Sequence, residues 1–336
     1  MTEQTLPWVE KYRPKTISDI ISHETIIRSL KNFILKKTLP HMLFFGPPGS
    51  GKTSTIMCCA YEIYGKYEDC MILRLNASNE RGIDTVRTKI KNFVTNNSAV
   101  YFPLDKTIPG NTIFKLVILD EIDSMTVEAQ GMLRQSIEKN SDTTRFCLIC
   151  NNIDKISPAL QSRCALFHFS PLQSQNMEIR LNEICKLEHI KCDDDAIASI
   201  IKLSNGDMRT AINILQSTKL IDDDHITTDD IYRISGYCMS SVIKKIFKIL
   251  LKITSKKISL YGAIQKITNI IVTNNITIFN LLDDLQQMVM NDIDMNNMQK
   301  IYLIDNFANH EKYDSVSVDA KIIIMNIASL FILIKN

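Results

Sequence analysis

The chain has 336 residues, of which 45% are hydrophobic, enough apolar material for the cores of two or three globular domains. Its 39 lysines and arginines nearly balance its 37 aspartates and glutamates, so net charge alone does not indicate a nucleic-acid-binding protein. The first residues lack an apolar signal core and no run of about 18 uninterrupted apolar residues occurs, so we expect an intracellular protein that is neither secreted nor membrane-spanning.

Short apolar runs alternate with amphipathic helical patterns through the first half of the chain. The runs of strand length are 'HMLFFG', 'MILRLN', 'FKLVILDE', 'RFCLICN' and 'ALFHF'. The helical patterns are 'TSTIMCCAYEIYG', 'IDTVRTKIKNFV' and 'TVEAQGMLRQSIEK', and 'NNSAVYFPLDKTIPGNT' indicates a surface loop. This alternation predicts an α/β domain in which helices cover a parallel sheet.

A phosphate-binding loop follows the first strand. The stretch 'FFGPPGSGKTS' contains G-x-x-x-x-G-K-T between an apolar strand and a helix, the context that makes this motif specific. The predicted loop comprises Gly46, Pro47, Pro48, Gly49, Ser50, Gly51, Lys52, Thr53 and Ser54. Its backbone N–H groups can surround phosphate oxygens, while Lys52 reaches the terminal phosphates and the Thr53 hydroxyl holds Mg²⁺. The alternative is a plain turn between a strand and a helix.

An acidic pair ends the third strand, 'KLVILDEID'. The strand delivers Asp120 and Glu121 to the carboxyl edge of the sheet, where open α/β sheets bind ligands. We expect Asp120 to bind Mg²⁺ and Glu121 to polarise an attacking water. Alone, such a pair is weak support, because caps and loops use the same residues. For Asp123 we expect a local capping role.

Cys147 and Cys150 form a CxxC within the fourth strand. Positions three apart on a strand point to opposite faces, so we expect two buried thiols and no shared metal. The nine cysteines form no regular framework, as in proteins of reducing compartments.

From about residue 173 the strand patterns stop. Residues 173–236 predict several short helices, and 'SNGDMRTAINILQ' has a loop glycine and an aspartate suited to capping before an apolar helical face. Residues 237–336 predict a further helical segment rich in Ile and Lys.

Motifs along roughly residues 6 to 217 resemble the small subunits of replication factor C, the AAA+ clamp loader. They are 'LPWVEKYRP', 'GPPGSGKTS', 'LNASNERGIDTVR', 'VILDEIDSMT', 'RFCLICNN', 'LQSRC' and 'GDMRTAIN', in the family's order. The resemblance implies an AAA+ P-loop ATPase domain with a parallel sheet over residues 1–172. A small helical lid domain with sensor 2 over 173–236 and an all-α collar for oligomerisation over 237–336 would follow. The last hundred residues match weakly.

The resemblance also implies roles around the nucleotide. The adenine and ribose contacts are expected from Val9, Tyr12, Arg13, Pro14 and Ile21. Asn151 matches sensor 1, which hydrogen-bonds the γ-phosphate or the attacking water, and Arg209 in 'GDMR' matches sensor 2. Without the resemblance, Asn151 is more simply a turn residue and Arg209 an exposed helix arginine.

Arg163 in 'LQSRC' matches the family's arginine finger. No acidic residue stands near Arg163 in the sequence, and the resemblance implies that its partner is on another chain. In the resembled family the finger acts in trans on ATP held by the neighbouring subunit, which makes hydrolysis depend on assembly.

DNA contacts are expected from a basic helical stripe. Arg87 and Lys91 lie four apart on the predicted helix, and Arg81 precedes it. In the resembled loaders this helix tracks the DNA phosphate backbone without reading sequence, and Lys155 occupies a similar inward position. The alternative is a solvated surface. Gln135 departs from the family's usual pair of arginines.

Together these observations lead to the hypothesis of an ATP-hydrolysing small subunit of a hetero-pentameric clamp loader, with ATP and Mg²⁺ as cofactors. Its partners would be the other loader subunits, a sliding clamp near 'DSMTVEAQ', and primer–template DNA. It would act in the nucleus of a eukaryotic cell or at a cytoplasmic viral replication site. One alternative is an assembly subunit that binds ATP structurally. Another is a different AAA+ motor, such as a branch-migration helicase.

Overall fold

In a computed structural model the described residues are 6–36, 38–78, 83–95, 114–220, 225–254, 259–274, 276–292, 295–311 and 320–334. Side chains are described for these residues except 83–87, 240, 254, 279, 310–311 and 320. The expected loop 'NNSAVYFPLDKTIPGNT' and Arg81 lie outside the described residues.

The described elements run from short N-terminal helices through an α/β region into a helical region. The strands are β1 (Met42–Phe45), β2 (Ile72–Asn76), β3 (Lys115–Asp120), β4 (Thr144–Cys150), β5 (Ala165–His168), β6 (Lys191–Cys192) and β7 (His225–Ile226). The helices of the first half are α1 (Trp8–Lys11), α2 (Glu24–Lys36), α3 (Lys52–Tyr64), α4 (Glu68–Met71), α5 (Ile83–Thr95), α6 (Val127–Lys139) and α7 (Pro158–Gln161). Those of the second half are α8 (Ser174–Leu187), α9 (Asp194–Ser204), α10 (Met208–Lys219), α11 (Thr228–Ser235), α12 (Ser240–Thr254), α13 (Leu260–Thr273), α14 (Ile278–Asn291), α15 (Asn297–Glu311) and α16 (Ala320–Leu333).

Five strands form one parallel sheet in the order β2-β3-β4-β1-β5. Each strand coincides with one of the predicted apolar runs, so the predicted parallel α/β fold is confirmed. Successive strand residues enter two different cores, because side chains alternate across a sheet. Phe44 and Ile118 belong to one core, and Leu43 and Val117 belong to the other.

Cys147 and Cys150 follow the same alternation. Cys147 packs in the first of these cores and Cys150 in the second, and both are buried. Burial raises the pKa of Cys150 to about 12, so its thiol stays protonated at ordinary pH. The two sulfurs therefore do not face a common site.

The strand order brings three chain segments together at the carboxyl edge of the sheet. β3, β4 and β1 are consecutive neighbours in the sheet. Their ends are followed respectively by Glu121, Asn151 and the glycine-rich loop that starts at Gly46. Because parallel strands end at the same edge, these three segments face one another, and an open α/β sheet binds ligands at this edge.

Residues beyond the sheet are mainly helical, with one exception that sequence analysis missed. β6 and β7 form a short parallel pair in which Lys191 aligns with His225 and Cys192 with Ile226. The expectation that strands stop near residue 173 was therefore wrong. A two-residue strand is too short to produce an alternating pattern, so periodicity could not reveal it.

Helices α12 to α16 enclose a separate hydrophobic core. Leu250, Leu285 and Phe307 are fully buried in it, and the rings of Phe247 and Phe331 meet edge to face at 6.1 Å. Isoleucine is the commonest of the other residues in this core, so the segment predicted to be helical over 237–336 has a hydrophobic core of its own.

The chain divides into two compact units. One comprises Met1–His189 with Ile200–Asn213, and the other comprises Ile190–Ser199 with Ile214–Asn336. The division into domains at 172 and 236 stays a prediction. None of the helices in the described ranges is both long and apolar enough to cross a membrane.

Candidate functional site

The loop between β1 and α3 is shaped by glycines in close contact with other segments. Gly46 has a φ of 144°, and a Cβ there would lie 1.9 Å from the carbonyl oxygen of Phe169. Gly49 has a φ of 64°, and its Cβ would lie 1.6 Å from Oδ1 of Asp207. Only glycine fits both positions. Within the described residues no side chain caps the N-terminus of α3 at Gly51, which suits an anion at that helix end.

Lys52, the first residue of α3, extends its side chain back over the loop. Its Nζ donates hydrogen bonds to the carbonyl oxygens of Gly46 and Pro47, both at 2.7 Å, and to Oδ1 of Asn151 at 3.0 Å. Burial lowers the pKa of Lys52, and nearby Asp120 partly opposes this effect. The ammonium group thus stands between the loop and the end of β4, where it can meet a phosphate from one side.

Thr53 and Asp120 form an oxygen pair suited to Mg²⁺. The Thr53 hydroxyl donates to Oδ2 of Asp120 at 2.9 Å. Adjacent ligands of an octahedral Mg²⁺ are about 3 Å apart, so these two oxygens fit neighbouring positions. Among the described residues no group of three His, Cys, Asp or Glu side chains could hold a metal by itself. The remaining ligands would come from phosphate and water, as is usual for Mg²⁺.

Glu121 follows β3 in a conformation that non-glycine residues seldom adopt. Its φ of 56° and ψ of 39° lie in the left-handed region. The turn is held by Ser124, whose hydroxyl and N–H donate to the Glu121 carbonyl oxygen at 2.7 and 3.0 Å. Such local strain is typical of functional positions. The Glu121 residue lines the same cavity as Lys52 and Thr53.

Asp123 connects the ends of β3 and β4. Its Oδ2 accepts hydrogen bonds from the backbone N–H groups of Asn151 at 3.2 Å and Asn152 at 3.3 Å. The expected local capping role was therefore wrong, since these contacts join Asp123 to a different strand end. The Asp123 carboxylate fixes the backbone of Asn151, whose side chain contacts Lys52.

Most of the residues predicted to contact the nucleotide line one cavity beside the loop. Of these, its lining includes Val9, Tyr12, Arg13, Pro14, Ile21, Pro48, Gly49, Ser50, Gly51, Lys52, Thr53, Ser54, Asp120, Glu121, Asn151 and Arg209. Gly46 and Pro47 are not part of the lining, although both bind Lys52 through their carbonyls.

Seven residues of the same lining were not predicted from the sequence. They are Asp19, Ser22, Leu172, Asn176, Arg180, Met208 and Ile212. A signal was present for some of them: Asn176 and Arg180 are four apart on α8, and Met208 and Ile212 are four apart on α10, hence on one helical face in each case.

Arg209 is delivered to the cavity by a capped helix. Asp207 caps α10 as its sequence suggested, because its Oδ1 accepts from the N–H groups of Arg209 at 2.8 Å and Thr210 at 3.2 Å. The same carboxylate lies against Gly49. The cap thus places the first turn of α10 directly on the phosphate loop.

Arg163 lies away from this cavity and has an acidic partner within the chain. Its guanidinium forms an ion pair with Glu138 at the end of α6 and donates to the Ala159 carbonyl at 2.8 Å. Glu138 also lies 3.7 Å from Nε of Arg134. The chain itself therefore supplies an acidic partner that was not predicted, and the partner that the resemblance implies on another chain stays a prediction. The Arg163 side chain is 37% exposed and does not line the cavity.

The predicted DNA-contact residues are described in part. Lys91 is exposed on α5, and Lys155 is exposed in the short turn after β4. Arg87 lies in α5, but its side chain is outside the described part of the chain, as is the whole of Arg81.

Gln130 of α6 was not identified from the sequence. This side chain is 1% exposed, and its Nε2 donates to the Lys155 carbonyl at 2.9 Å while its Oε1 accepts from the Ser157 N–H at 2.8 Å. A buried amide satisfied on both ends positions the backbone around Lys155 relative to α6.

Two family models match the chain. Residues 42–172 match the ATPase family associated with various cellular activities (AAA), and residues 180–220 match the RCF1/5-like AAA+ ATPase lid domain. The first match covers the sheet and the cavity's phosphate loop, and the second includes the helix that carries Arg209.

Three relatives align over nearly the whole chain. The chain is 59% identical to a putative replication factor C small subunit of Acanthamoeba polyphaga mimivirus, over 99% of this chain and 96% of that protein. It is 42% identical to the probable replication factor C subunit 5 of Dictyostelium discoideum, over 99% and 92%. It is 39% identical to replication factor C subunit 5 of Homo sapiens, over 98% and 92%.

Among solved structures the chain resembles Thermotoga maritima RuvB, described as a Holliday junction branch migration motor. The TM-score is 0.52 at 18% identity, covering 79% of this chain and 86% of that one. At this identity the similarity shows a shared AAA+ fold and carries no statement about activity.

Proposed function

Because the chain belongs to the family of replication factor C small subunits, which are AAA+ ATPases, we propose that it is an ATP-hydrolysing subunit of a hetero-pentameric clamp loader. The complex would open a sliding clamp and place it on primer–template DNA. The observation that carries the proposal is the convergence of Lys52, Asn151 and the Thr53–Asp120 pair at the carboxyl edge of three adjacent strands.

Each residue at this edge has a proposed task. Lys52 binds the terminal phosphates of ATP, and Asn151 orients the attacking water or the γ-phosphate. Thr53 and Asp120 hold Mg²⁺, which when bound neutralises charge on the phosphate oxygens. Glu121 orients and polarises the water. Arg209, brought in by α10, contacts the nucleotide, and Val9, Tyr12, Arg13 and Ile21 form the adenine and ribose side.

Arg163 is proposed to act in trans on ATP held by the neighbouring subunit. Its position supports this, because its side chain does not line the cavity of its own chain and is partly exposed to solvent. A fixed guanidinium stabilises charge that develops on the transferring phosphoryl group.

The proposed DNA contacts are Arg81, Arg87, Lys91 and Lys155, binding phosphates without reading the bases. The exposure of Lys91 and Lys155 supports this assignment. The proposed clamp contact is the segment 'DSMTVEAQ', in which Val127 is 77% exposed at the first turn of α6. A large exposed apolar side chain in that position suits a protein partner.

The helical region over 237–336 is proposed to be the collar that holds the subunits together, with the lid over 173–236. Apolar side chains on its last helices support an interface: Met298 of α15 is 75% exposed, and Ile322 and Met325 of α16 are each 51% exposed. We place the complex in the nucleus of a eukaryotic cell or at a cytoplasmic viral replication site.

The proposal is tested by ATP turnover in the reconstituted complex. Clamp and primed DNA together should stimulate turnover well above that of the isolated chain, and the absence of stimulation would contradict the proposal. Glu121→Gln should lower the rate of ATP hydrolysis at this subunit's own site by about 10² to 10⁴, the contribution of a general base, while ATP still binds there. Unchanged turnover would instead indicate an assembly subunit that binds ATP structurally.

The branch-migration alternative has its own readout. A motor of that kind would translocate four-way junction DNA without any sliding clamp. Such a motor would also need a C-terminal winged helix, whereas the described residues of 237–334 contain only helices and their connections. Junction unwinding by the complex would favour this alternative.

A further inference from the structure

A single carboxylate fastens the N-terminal segment of the chain to helix α8. Oε1 of Glu188, the residue that follows α8, accepts hydrogen bonds from Nζ of Lys11 at 2.5 Å and from the hydroxyl of Tyr12. The Glu188 side chain is only 12% exposed, and Tyr12 is 9% exposed. These contacts join residues 176 to 177 positions apart, both within the first compact unit.

Lys11 and Tyr12 both keep the protons that they donate to Glu188. The hydrogen bond to Glu188 raises the pKa of Lys11, and burial followed by the bond to Glu188 raises the pKa of Tyr12. Lys11 therefore stays charged and Tyr12 stays protonated at ordinary pH. A largely buried carboxylate with two such donors is a much firmer contact than an exposed ion pair.

A second contact joins the same two segments. Nη2 of Arg180, in the middle of α8, donates to the carbonyl oxygen of Tyr12 at 2.8 Å. Arg180 and Glu188 are eight residues apart, about 12 Å along a helix, so Tyr12 is held through both its backbone and its side chain. Trp8 is 7% exposed one turn earlier, with its ring 6.1 Å from that of Tyr12.

Both joined segments line the nucleotide cavity. Val9, Tyr12 and Arg13 come from the N-terminal segment, and Asn176 and Arg180 come from α8. One wall of the cavity is thus assembled from two pieces, and its shape depends on what holds them together.

We propose that Glu188 is a positioning residue for the nucleotide: it fastens the segment Trp8–Arg13 to α8 and so keeps the adenine-side wall assembled. The inference rests on the proposed nucleotide site. The chain binds nucleotide when this wall is assembled. The apparent affinity for nucleotide therefore decreases as the fraction of molecules with an assembled wall decreases. Loss of Glu188 leaves Lys11 and Tyr12 without their common acceptor, so the wall depends on the Arg180 contact and is assembled in a smaller share of molecules.

The chain carries a built-in probe of this contact. Trp8 is its only tryptophan and lies within the fastened segment, so tryptophan fluorescence, excited selectively over that of the ten tyrosines, reports on that segment alone. In Glu188→Ala we expect Trp8 emission to move to longer wavelength and acrylamide quenching to increase, since the indole gains water contact. Saturating Mg·ATPγS should restore both signals toward those of the original chain.

Binding of Mg·ATPγS to the full-length chain gives the second readout. Glu188→Ala should weaken it about tenfold, in line with the loss of a buried acceptor. Glu188→Gln retains an oxygen for Tyr12 but loses the charge that faces Lys11, and should fall between. Lys11→Met combined with Glu188→Ala should add little to the single change. In the assembled complex, turnover at saturating ATP should remain while the KM for ATP rises.

Glu178→Ala serves as the matched control, because Glu178 is an exposed carboxylate on the same helix. It should leave Trp8 emission and affinity unchanged. If Glu188→Ala leaves both unchanged while the folded chain binds ATPγS normally, the inference is wrong. If the original chain binds no ATPγS, the proposed function fails instead, and the Trp8 signal without nucleotide still tests the contact.

Discussion

The nucleotide cavity and the surface around Arg163, called here the Arg163 corner, differ in their contacts. The contacts in the cavity are fixed by the chain itself, whereas those at the Arg163 corner are weak enough for a group from another chain to replace them. At the cavity the buried Lys52 donates a hydrogen bond to Asn151 at 3.0 Å, and the backbone N–H of Asn151 donates to Asp123 at 3.2 Å in a more exposed setting. The Arg163 corner consists of Arg163, Glu138, Arg134 and the Ala159 carbonyl, with side chains 37% to 40% exposed.

The difference matters because the two kinds of contact have different strengths. Hydrogen bonds to charged groups contribute about 1.5 to 3 kcal/mol each, and the Lys52 ammonium makes three of them, so the fold itself sets the position of Lys52 in the cavity. A half-exposed ion pair contributes about 0 to 1 kcal/mol, so an incoming phosphate can replace Glu138 as the partner of Arg163. Substitutions in the cavity should therefore affect hydrolysis of the nucleotide bound to the same chain. Substitutions at Arg163 should affect hydrolysis of the nucleotide bound to a neighbouring chain.

The largest expected effect comes from Arg163→Ala. If Arg163 acts in trans, hydrolysis at the adjacent site should fall by about 10³ to 10⁵, which is the contribution of arginine fingers in comparable systems. ATP binding to the altered chain itself should remain. The measurement is single-turnover hydrolysis in complexes in which only the adjacent site is active.

Arg163→Lys is the matched variant, since it keeps the charge but loses the planar fork, and it should recover only part of the rate. Loss of ATP binding by the altered chain itself would contradict the assignment of Arg163 to a neighbour's site. Arg163 would then belong structurally to its own chain.

A smaller effect is expected inside the cavity, from Asp123→Ala. This change removes the acceptor for the N–H groups of Asn151 and Asn152, so the Asn151 side chain loses its fixed position beside Lys52. Misplacement of a catalytic group by about 1 Å can cost about 10²-fold in rate. We expect turnover to fall by about 10 to 10², with nucleotide affinity little changed.

Asp123→Asn retains an oxygen that can accept both N–H groups and should lose much less activity than Asp123→Ala. Steady-state turnover and a thermal melt of each variant distinguish a misplaced Asn151 from a misfolded chain. Equal losses in the two variants would show that charge at Asp123, and not its hydrogen bonds, is what matters.

The parts of the cavity that sequence analysis predicted depend on local patterns. The apolar runs of β1 and β3 and the spacing from Gly46 to Thr53 are local patterns, each contained in about a dozen residues. These patterns were enough to predict where the two strands end. Lys52, Thr53 and Asp120 meet because parallel strands end at one edge, a rule that needs no knowledge of distant packing.

The parts that were missed depend on contacts between distant segments. Glu138 reaches Arg163 only because α6 packs near α7, and Glu188 reaches Tyr12 only because α8 lies against the N-terminal segment. Asp123 was assigned to its own turn for the same reason, since its partners follow another strand. A side chain's partner across the fold leaves no periodic signal in the sequence.

The smallest expected effect is at the Arg163 corner, from Glu138→Ala. If Arg163 acts in trans, the Glu138 carboxylate competes with a neighbour's phosphate for the same guanidinium, and its own charge repels that phosphate. Removing it should raise hydrolysis at the adjacent site, by no more than about fivefold given the strength of a half-exposed ion pair. Added salt should shrink the difference, because it screens the pair.

Asp142→Ala, which removes an exposed carboxylate just beyond α6, should leave the rate at the adjacent site unchanged. A decrease in Glu138→Ala would reverse the interpretation. It would mean that the ion pair orients Arg163 for its neighbour's phosphate, so that one chain supplies the geometry of this corner as it does in the cavity. An increase means that Glu138 restrains the finger until the neighbouring nucleotide displaces it.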